Sequence, residues 1–318
     1  MLSETTFAHL SDVHLAPLAG FWPHHWNAKR LLGYANWTVR RRKTHLREVV
    51  DRLVADLRHQ HVDHILVSGD LVNIGLPREY ENALAWLHAL GPPERVSVVP
   101  GNHDIYTRLR GHPGVARWAA YMASDDWGAA FAPGPGPRFP YVRRIGDVAV
   151  VGLNSAVPTP PGIASGEAGA EQIENARAIL KQLGSKSLFR LVMIHHPPVL
   201  IQVHASRDLK DAAALEAAFI DAGAELVVHG HNHRDMVCWR QASNGPMPVV
   251  GIASSSIGRL HHHEPLARYN LYKIRRSPAG GWQIELTGRG LRDPGGAVVQ
   301  LEHGVLQPAR EPEVQRDR

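Results

Sequence analysis

The sequence predicts an α/β layered fold, and three observations carry that prediction. Short apolar β-type runs alternate with helix-periodic segments through the first two-thirds of the 318 residues. Five polar clusters each follow such a run, as expected where α/β sites lie beyond the carboxyl ends of strands. The final third is rich in strand patterns, which predicts a second sheet packed on the first.

In order, Thr6 to Leu10 reads as a short strand leading into Ser11-Asp12-Val13-His14. Leu46 to Leu57 has helical periodicity, with Val49, Val50, Leu53 and Val54 on one face. Val62 to Val67 is a buried-type strand ending in Ser68-Gly69-Asp70, and Arg78 to Leu90 is a helix stopped by Gly91-Pro92-Pro93. Val96 to Val99 is a strand that runs into Pro100-Gly101-Asn102-His103-Asp104. A helix around Val115 to Met122 precedes a Gly/Pro-rich loop at Pro133 to Pro137. Tyr141 to Arg144 and Val148 to Leu153 form a hairpin turning at Gly146-Asp147. Helices at Glu171 to Leu183 and Leu209 to Ala222 flank a strand at Leu188 to Ile194. Leu226 to Val228 is a strand running into His229-Gly230-His231-Asn232-His233. Strands follow at Met236 to Arg240, Val249 to Ile252, Arg268 to Ile274 and Gly281 to Leu286. Residues 292–318, rich in Pro, Gly and charge, read as a loosely held tail behind a domain spanning 1–291.

A chain of this length buries a large core in one domain or at most two. Its 44% apolar and 20% charged composition is that of a globular protein, not a disordered one. No apolar run approaches the roughly 18 residues that span a bilayer. Cys238 is the only cysteine, which excludes intrachain disulfides and thiolate metal clusters. With no basic-then-apolar leader at Met1-Leu2-Ser3-Glu4, the expected setting is cytoplasmic. Histidine, in contrast, is abundant at 21 copies, many of them clustered. Clustered histidine with acidic partners favours zinc, manganese or iron held through N and O ligands.

The five clusters are Asp12/His14, Asp70, Asn102/His103/Asp104, His195/His196 and His231/His233. Asp12 and His14 are two apart, so an extended chain would point both toward one ion. His231 and His233 share that spacing, but Gly230 permits a turn that would split them between two ions. Asp70 at a strand end is a carboxylate that can bridge two metals with its two oxygens.

The ordered series Asp12-x-His14, Gly69-Asp70, Gly101-Asn102-His103-Asp104, Ile194-His195-His196-Pro197 and Gly230-His231-Asn232-His233 resembles the calcineurin-like metallophosphoesterases. The resemblance spans residues 12 to 233 and implies a four-layer α/β/β/α sandwich of two mixed sheets, the metallophosphatase fold. It implies two metal ions, with Asp12, His14 and His233 on the first. Asn102, His195 and His231 fall on the second, and Asp70 bridges. His195 rather than His196 is the ligand because the family's ligand stands two residues ahead of a proline. His103 would face the scissile phosphate, oriented and kept protonated by Asp104. The implied activity is hydrolysis of a phosphodiester or pyrophosphate by attack of a metal-bridging hydroxide. Two ions outweigh their ligand carboxylates, so an anionic phosphate is attracted. His196 and Asn73 are candidate substrate contacts. His229 is expected to pack beneath the site, and His24-His25 and His261-His262-His263 to be solvated surface. A non-catalytic scaffold of the same fold would have lost ligands, whereas every position here is filled.

The segment from Phe21 to Arg47 stands apart. Trp22, Trp26, Tyr34 and Trp37 interleave with basic residues, and no Asp or Glu occurs in it. Two readings compete. In one, the segment is an insertion whose tryptophans pack on the domain while its arginines face water. In the other, it is a cap beside the site that touches an anionic membrane surface or a phosphorylated lipid. A nucleic-acid groove fits less well. Some family members that cleave the pyrophosphate of a UDP-linked acyl sugar are similar in carrying a basic, apolar cap. The substrate is therefore expected to be nucleotide or lipid-linked, with the enzyme peripheral at the inner membrane face in the second case.

Overall fold

The computed structural model describes residues 4–108, 111–134, 138–199, 206–260, 264–278 and 280–308. Two six-stranded sheets organise them. The first has the order β12-β11-β10-β1-β2-β3, with β1 Glu4–Leu10, β2 His64–Val67, β3 Val96–Val98, β10 Arg268–Arg276, β11 Trp282–Leu291 and β12 Val298–Val305. The second has the order β4-β5-β6-β7-β9-β8. Its strands are β4 Tyr141–Ile145, β5 Val148–Gly152, β6 Phe189–Met193, β7 Leu226–His229, β8 Met236–Ala242 and β9 Gly245–Gly251.

Both sheets are mixed. β1, β2 and β3 run parallel, while β10 pairs antiparallel with β1. β5, β6, β7 and β9 run parallel between antiparallel partners β4 and β8. The strand-rich final third therefore does not make a second sheet of its own, contrary to expectation. β10 to β12 extend the first sheet from the free edge of β1, and β8 and β9 extend the second from β7. Nor is 292–318 wholly a loose tail: β12 pairs with β11 from Glu285–Val305 to Leu291–Val298. Residues 309–318 lie outside the described residues, as do His261 to His263.

Four helices complete the layers: α3 Arg47–Leu57, α4 Pro77–Leu90, α5 Ala170–Ser185 and α6 Ala212–Ala222. Strand alternation divides the apolar side chains between two cores. Val148, Val150, Leu191 and Met193 join the first core, with Phe7, Tyr272 and the buried faces of α3 and α4. Their neighbours Ala149, Val151, Val192 and Ile194 point the other way, onto Ile179, Leu183, Leu215 and Phe219 of α5 and α6. The stretch around Val115 to Met122 is a 3-10 helix, Gly114–Met122, and not an α-helix.

The cap holds α1 Ala28–Asn36, a π-helical turn Trp37–Arg41 and the short α2 Arg42–Thr44. Helix α1 is inside out. Lys29 and Arg30 are each 8% exposed, while Leu31 and Leu32 are 44% and 54% exposed. Trp22 and Trp26 also face outward, at 63% and 54%. The reading with tryptophans packed inward and basic residues in water is thus reversed at these positions. No helix among the described residues is long and apolar enough to cross a membrane.

Candidate metal centre

The loops leaving β1, β2, β3, β6 and β7 carry the five polar clusters to one place. The loops after β1 and β2 continue the strand pairing: the amides of Asp12, His14 and Leu15 donate to the carbonyls of Gly69, Asp70 and Leu71, each at 2.9 Å. Backbone strain concentrates here. Asp12, His14, Asp70, His231 and His233 all have positive φ, between 42° and 69°. Such conformations cost of order 1–3 kcal/mol each and persist where surrounding structure fixes them, often at functional sites. The extended conformation expected for Asp12 and His14 is therefore not what aligns them; two left-handed residues do. Gly230 serves close approach rather than left-handed turning, because a Cβ there would collide with Ser11 and Asp12.

Each histidine of the ligand set is held through one ring nitrogen and presents the other. His14 Nδ1 donates to the Val72 carbonyl at 3.2 Å, and His195 Nδ1 to the Ser68 carbonyl at 2.7 Å. His231 Nε2 donates to the Arg207 carbonyl at 2.9 Å, and His233 Nδ1 to the Glu264 carboxylate at 3.1 Å. The remaining nitrogens converge on carboxylate and amide oxygens. His233 Nε2 lies 3.1 Å from Asp12 Oδ1, and His195 Nε2 lies 3.2 Å from both Asn102 Oδ1 and His231 Nδ1. Asp70 Oδ2 sits between the two groups, 3.8 Å from His14 Nε2 and 3.5 Å from His195 Nε2. Its Oδ1 instead accepts the His103 amide at 2.8 Å, so one oxygen, not two, faces both clusters.

The electrostatics fit cations. Burial and the nearby Asp12 charge push the Asp70 carboxyl up to about 8. Burial also pushes Asp12 up, yet the charge and hydrogen bond of His233 outweigh it and hold that carboxyl below the usual range. Buried carboxylates under mutual repulsion, ringed by the neutral imidazoles of His14, His195 and His231 and by His233, whose proton a metal would replace, are a donor set that divalent ions would relieve. Ligand atoms of Asp12, His14 and His233, and of Asp12, Asp70 and His195, lie within 4.8 Å of one another. The residues present therefore fit two metal ions.

His103 departs from expectation. Its Nδ1 donates to the Asn73 carbonyl and its ring stacks on Tyr106, with centroids 5.4 Å apart. Asp104 does not orient it. The Asp104 carboxylate is fully buried and accepts the backbone amides of Asp70, Leu71 and Gly101 at 2.8 Å and of Val72 at 3.1 Å. It ties the loop after β2 to the loop after β3. Nor is His103 held protonated: burial and the Arg41 guanidinium push its imidazole well below the usual value.

Neither expected substrate contact lines the cavity of about 370 Å³ over the site. His196 is fully buried, accepts from Ser155 Oγ at 2.7 Å through Nδ1 and donates to the Ala164 carbonyl through Nε2 at 3.1 Å. Its ring packs 4.3 Å from that of His231. Asn73 is buried and acts through its carbonyl on His103. His229 is buried beside the site, as expected.

The sequence reading missed Arg41, His45, Arg207 and Glu264, all of which line this cavity. Arg41, from the π-helical turn, reaches furthest. Its Nη1 lies 2.9 Å from His103 Nε2 and its Nη2 lies 2.7 Å from His14 Nε2. Such turns frequently mark functional positions, but nothing in Arg40-Arg41-Arg42 singles out the middle arginine by sequence.

Residues 5–235 match the calcineurin-like phosphoesterase family. A probable cyclic nucleotide phosphodiesterase of Synechococcus sp. is 26% identical over 234 residues, covering 73% of this chain and 78% of that protein. Among solved structures, a dimetal phosphatase from Danio rerio is similar with a TM-score of 0.57 at 16% identity, over 93% of this chain and 98% of the other. A purple acid phosphatase from yellow lupin seeds has a TM-score of 0.55 at 11% identity, over 96% of this chain and 54% of its own. The family match covers most of the chain and takes in all five strand-end clusters, and the solved structures share its two-sheet architecture. On these grounds the chain, a hydrolase of phosphoester bonds with the metallophosphatase fold, belongs to the calcineurin-like phosphoesterase family.

Proposed function

We propose that the chain is a metal-dependent phosphodiesterase or pyrophosphatase. Asp12, His14, Asp70 and His233 would hold one ion, and Asp70, Asn102, His195 and His231 the other. The observation that carries this reading is the tautomer-fixed set of four histidines converging on Asp12, Asp70 and Asn102. When bound, two divalent or trivalent ions supply charge for phosphoryl oxygens and lower the pKa of a water toward neutrality. Manganese, iron and zinc all suit this N/O donor set.

The chain's own residues bind and orient. Arg41 and Arg207 bring positive charge to the cavity wall for an anionic phosphoryl group. With His103 Nδ1–H tied to the Asn73 carbonyl, Nε2 accepts from Arg41 Nη1 and would meet substrate once an anionic phosphoryl group draws that guanidinium away. An anionic group entering the cavity offsets the burial and Arg41 effects that keep this imidazole neutral, so Nε2 gains a proton as substrate binds. It then donates that proton to the departing ester oxygen as the new P–O bond from water forms and the old one breaks. Asp104 acts at one remove, by fixing the loops that carry Asp70 and His103.

A diester is favoured over a monoester by the likeness to the Synechococcus relative, a probable cyclic nucleotide phosphodiesterase. Bis(4-nitrophenyl) phosphate, 4-nitrophenyl phosphate, cyclic AMP and a UDP-diacylglucosamine assayed side by side test this. Preference for the diester or pyrophosphate is expected, and preference for 4-nitrophenyl phosphate would overturn the reading.

A specific observation supports a second reading, hydrolysis of a lipid-linked pyrophosphate by a cytoplasmic enzyme resting on the inner membrane face. Trp22, Trp26, Leu31, Leu32, Tyr34 and Val39 are exposed on a cap that carries no acidic residue. An outward apolar face with basic neighbours is the composition of an interfacial element. Sedimentation with anionic vesicles tests it: binding should fall when Trp22, Leu32 and Val39 are replaced by serine, and unchanged sedimentation would remove it.

A further inference from the structure

A larger cavity, of about 840 Å³, is walled by His25, Trp26, Lys29, Arg30, His112 and Thr159 among others and shares no lining residue with the cavity over the metal centre. None of its lining residues is acidic. Lys29 is 8% exposed, yet among the described residues its one hydrogen-bond partner is the Thr159 hydroxyl at 2.7 Å, which itself donates to the Ile163 carbonyl at 2.6 Å. Two ammonium protons have no hydrogen-bond acceptor among the described residues. Arg30 is equally buried and pinned by donation to three backbone carbonyls, those of His25, Ile74 and Gly75. Among the described residues neither forms an ion pair; the Glu79 carboxylate acts on Arg30 from beyond contact, and no such group acts on Lys29.

Buried cations without a counter-charge are costly, and proteins rarely keep them unless something anionic completes them. Solvent does not relieve Lys29 either, since burial pulls its ammonium down to about 8. The exposure of the neighbouring leucines makes the point sharper, because rotating α1 would bury apolar surface and release both charges to water.

We propose that this cavity is an oxyanion pocket, with the Lys29 ammonium and the Arg30 guanidinium as its charge and phosphate as the class of ligand. Its position suggests which phosphate. The Lys29 Nζ sits 4.5 Å from the centroid of the Tyr106 ring, and that ring stacks on His103. The Tyr106 ring is thus the wall between His103 and Lys29, and a substrate whose scissile phosphoryl group lies by His103 would have to carry a second phosphate, or another distal oxyanion, past that ring to meet Lys29. Assignment to the substrate rests on the phosphoesterase reading; the pocket itself does not.

The test titrates inorganic phosphate into the chelated full-length chain by calorimetry. One site per chain is expected, weakened at least tenfold in Lys29→Met and retained in Lys29→Arg. Arg41→Met, which alters the metal-centre cavity alone, is expected to keep it. Equal binding by wild type and a folded Lys29→Met, or loss in Arg41→Met instead, would overturn the pocket. In the metal-loaded chain, the ratio of KM for a nucleotide pyrophosphate to KM for bis(4-nitrophenyl) phosphate distinguishes the ligand's source. A tenfold rise of that ratio in Lys29→Met assigns the pocket to the substrate's distal phosphate. Lost phosphate binding with an unchanged ratio assigns it to a free oxyanion.

Discussion

His103 is bonded through Nδ1 to the backbone carbonyl of Asn73 and not to the carboxylate of its neighbour Asp104. This fixes the ring's tautomer and leaves Nε2 to accept from Arg41 Nη1 at the cavity wall. Replacing the side chain should therefore spare the metal ligands. His103→Ala is expected to retain bound metal and to lose about 10²–10⁴-fold in kcat, the usual contribution of a general acid. Metal content that falls with the activity would make His103 a ligand instead.

Asp104 predicts a different phenotype. Asp104→Asn turns an amide NH₂ toward backbone donors that now have a carboxylate, leaving buried N–H groups unpaired. A loss of about 3 kcal/mol in urea unfolding is expected. The alkaline limb of the kcat profile, set by the general acid, should keep its position, since no Asp104–His103 contact exists to be broken. A displaced limb would restore Asp104 as the partner of His103.

The metal-free chain should show a distinct pH dependence. Burial lowers His233, but Asp12 and Glu264 outweigh it and raise the imidazole to about 9. That lies above its unfolded value of about 6.5. The associated stability is thus fully present below about pH 6.5 and is lost as pH rises through about 9. Glu264→Gln removes one of the two raising groups. In chelated protein, this variant is expected to lose Tm relative to wild type at pH 6 and to approach it above pH 9. Parallel Tm profiles across that range would contradict the assignment.

Arg41 stands where an anion should enter. Arg41→Ala is expected to raise KM for a diester about tenfold or more while strengthening metal binding, because a cation leaves the neighbourhood of His14. Arg41→Lys should recover part of the KM, since a point charge replaces a forked donor. Weaker metal binding in Arg41→Ala would show that the guanidinium supports the ligands rather than the substrate.

Much of this site was legible because it is local. Each ligand cluster follows an apolar run, so strand ends such as Leu10, Val67 and Val98 announce where Asp12, Asp70 and Asn102 will stand. The hairpin at Gly146-Asp147 and the helices α3 to α6 were legible for the same reason. What escaped is long-range or inverted. Nothing local says that β10 joins β1 rather than a sheet of its own, because that pairing spans more than 250 residues of sequence. Asp104 is adjacent to His103 in sequence, yet its side chain turns back to the amides of the loop after β2. Helix α1 defeats the periodicity rule outright, since it hides Lys29 and Arg30 and exposes Leu31 and Leu32. A helix face that breaks the apolar pattern at a cavity is where sequence periodicity is expected to fail.

Metal analysis tests the proposed pair of ions bridged by Asp70 most directly. After reconstitution with manganese or zinc, wild type is expected to bind two equivalents per chain, and Asp70→Ala to lose both together. Fewer than one equivalent in wild type, or one ion retained at full affinity in Asp70→Ala, would contradict it.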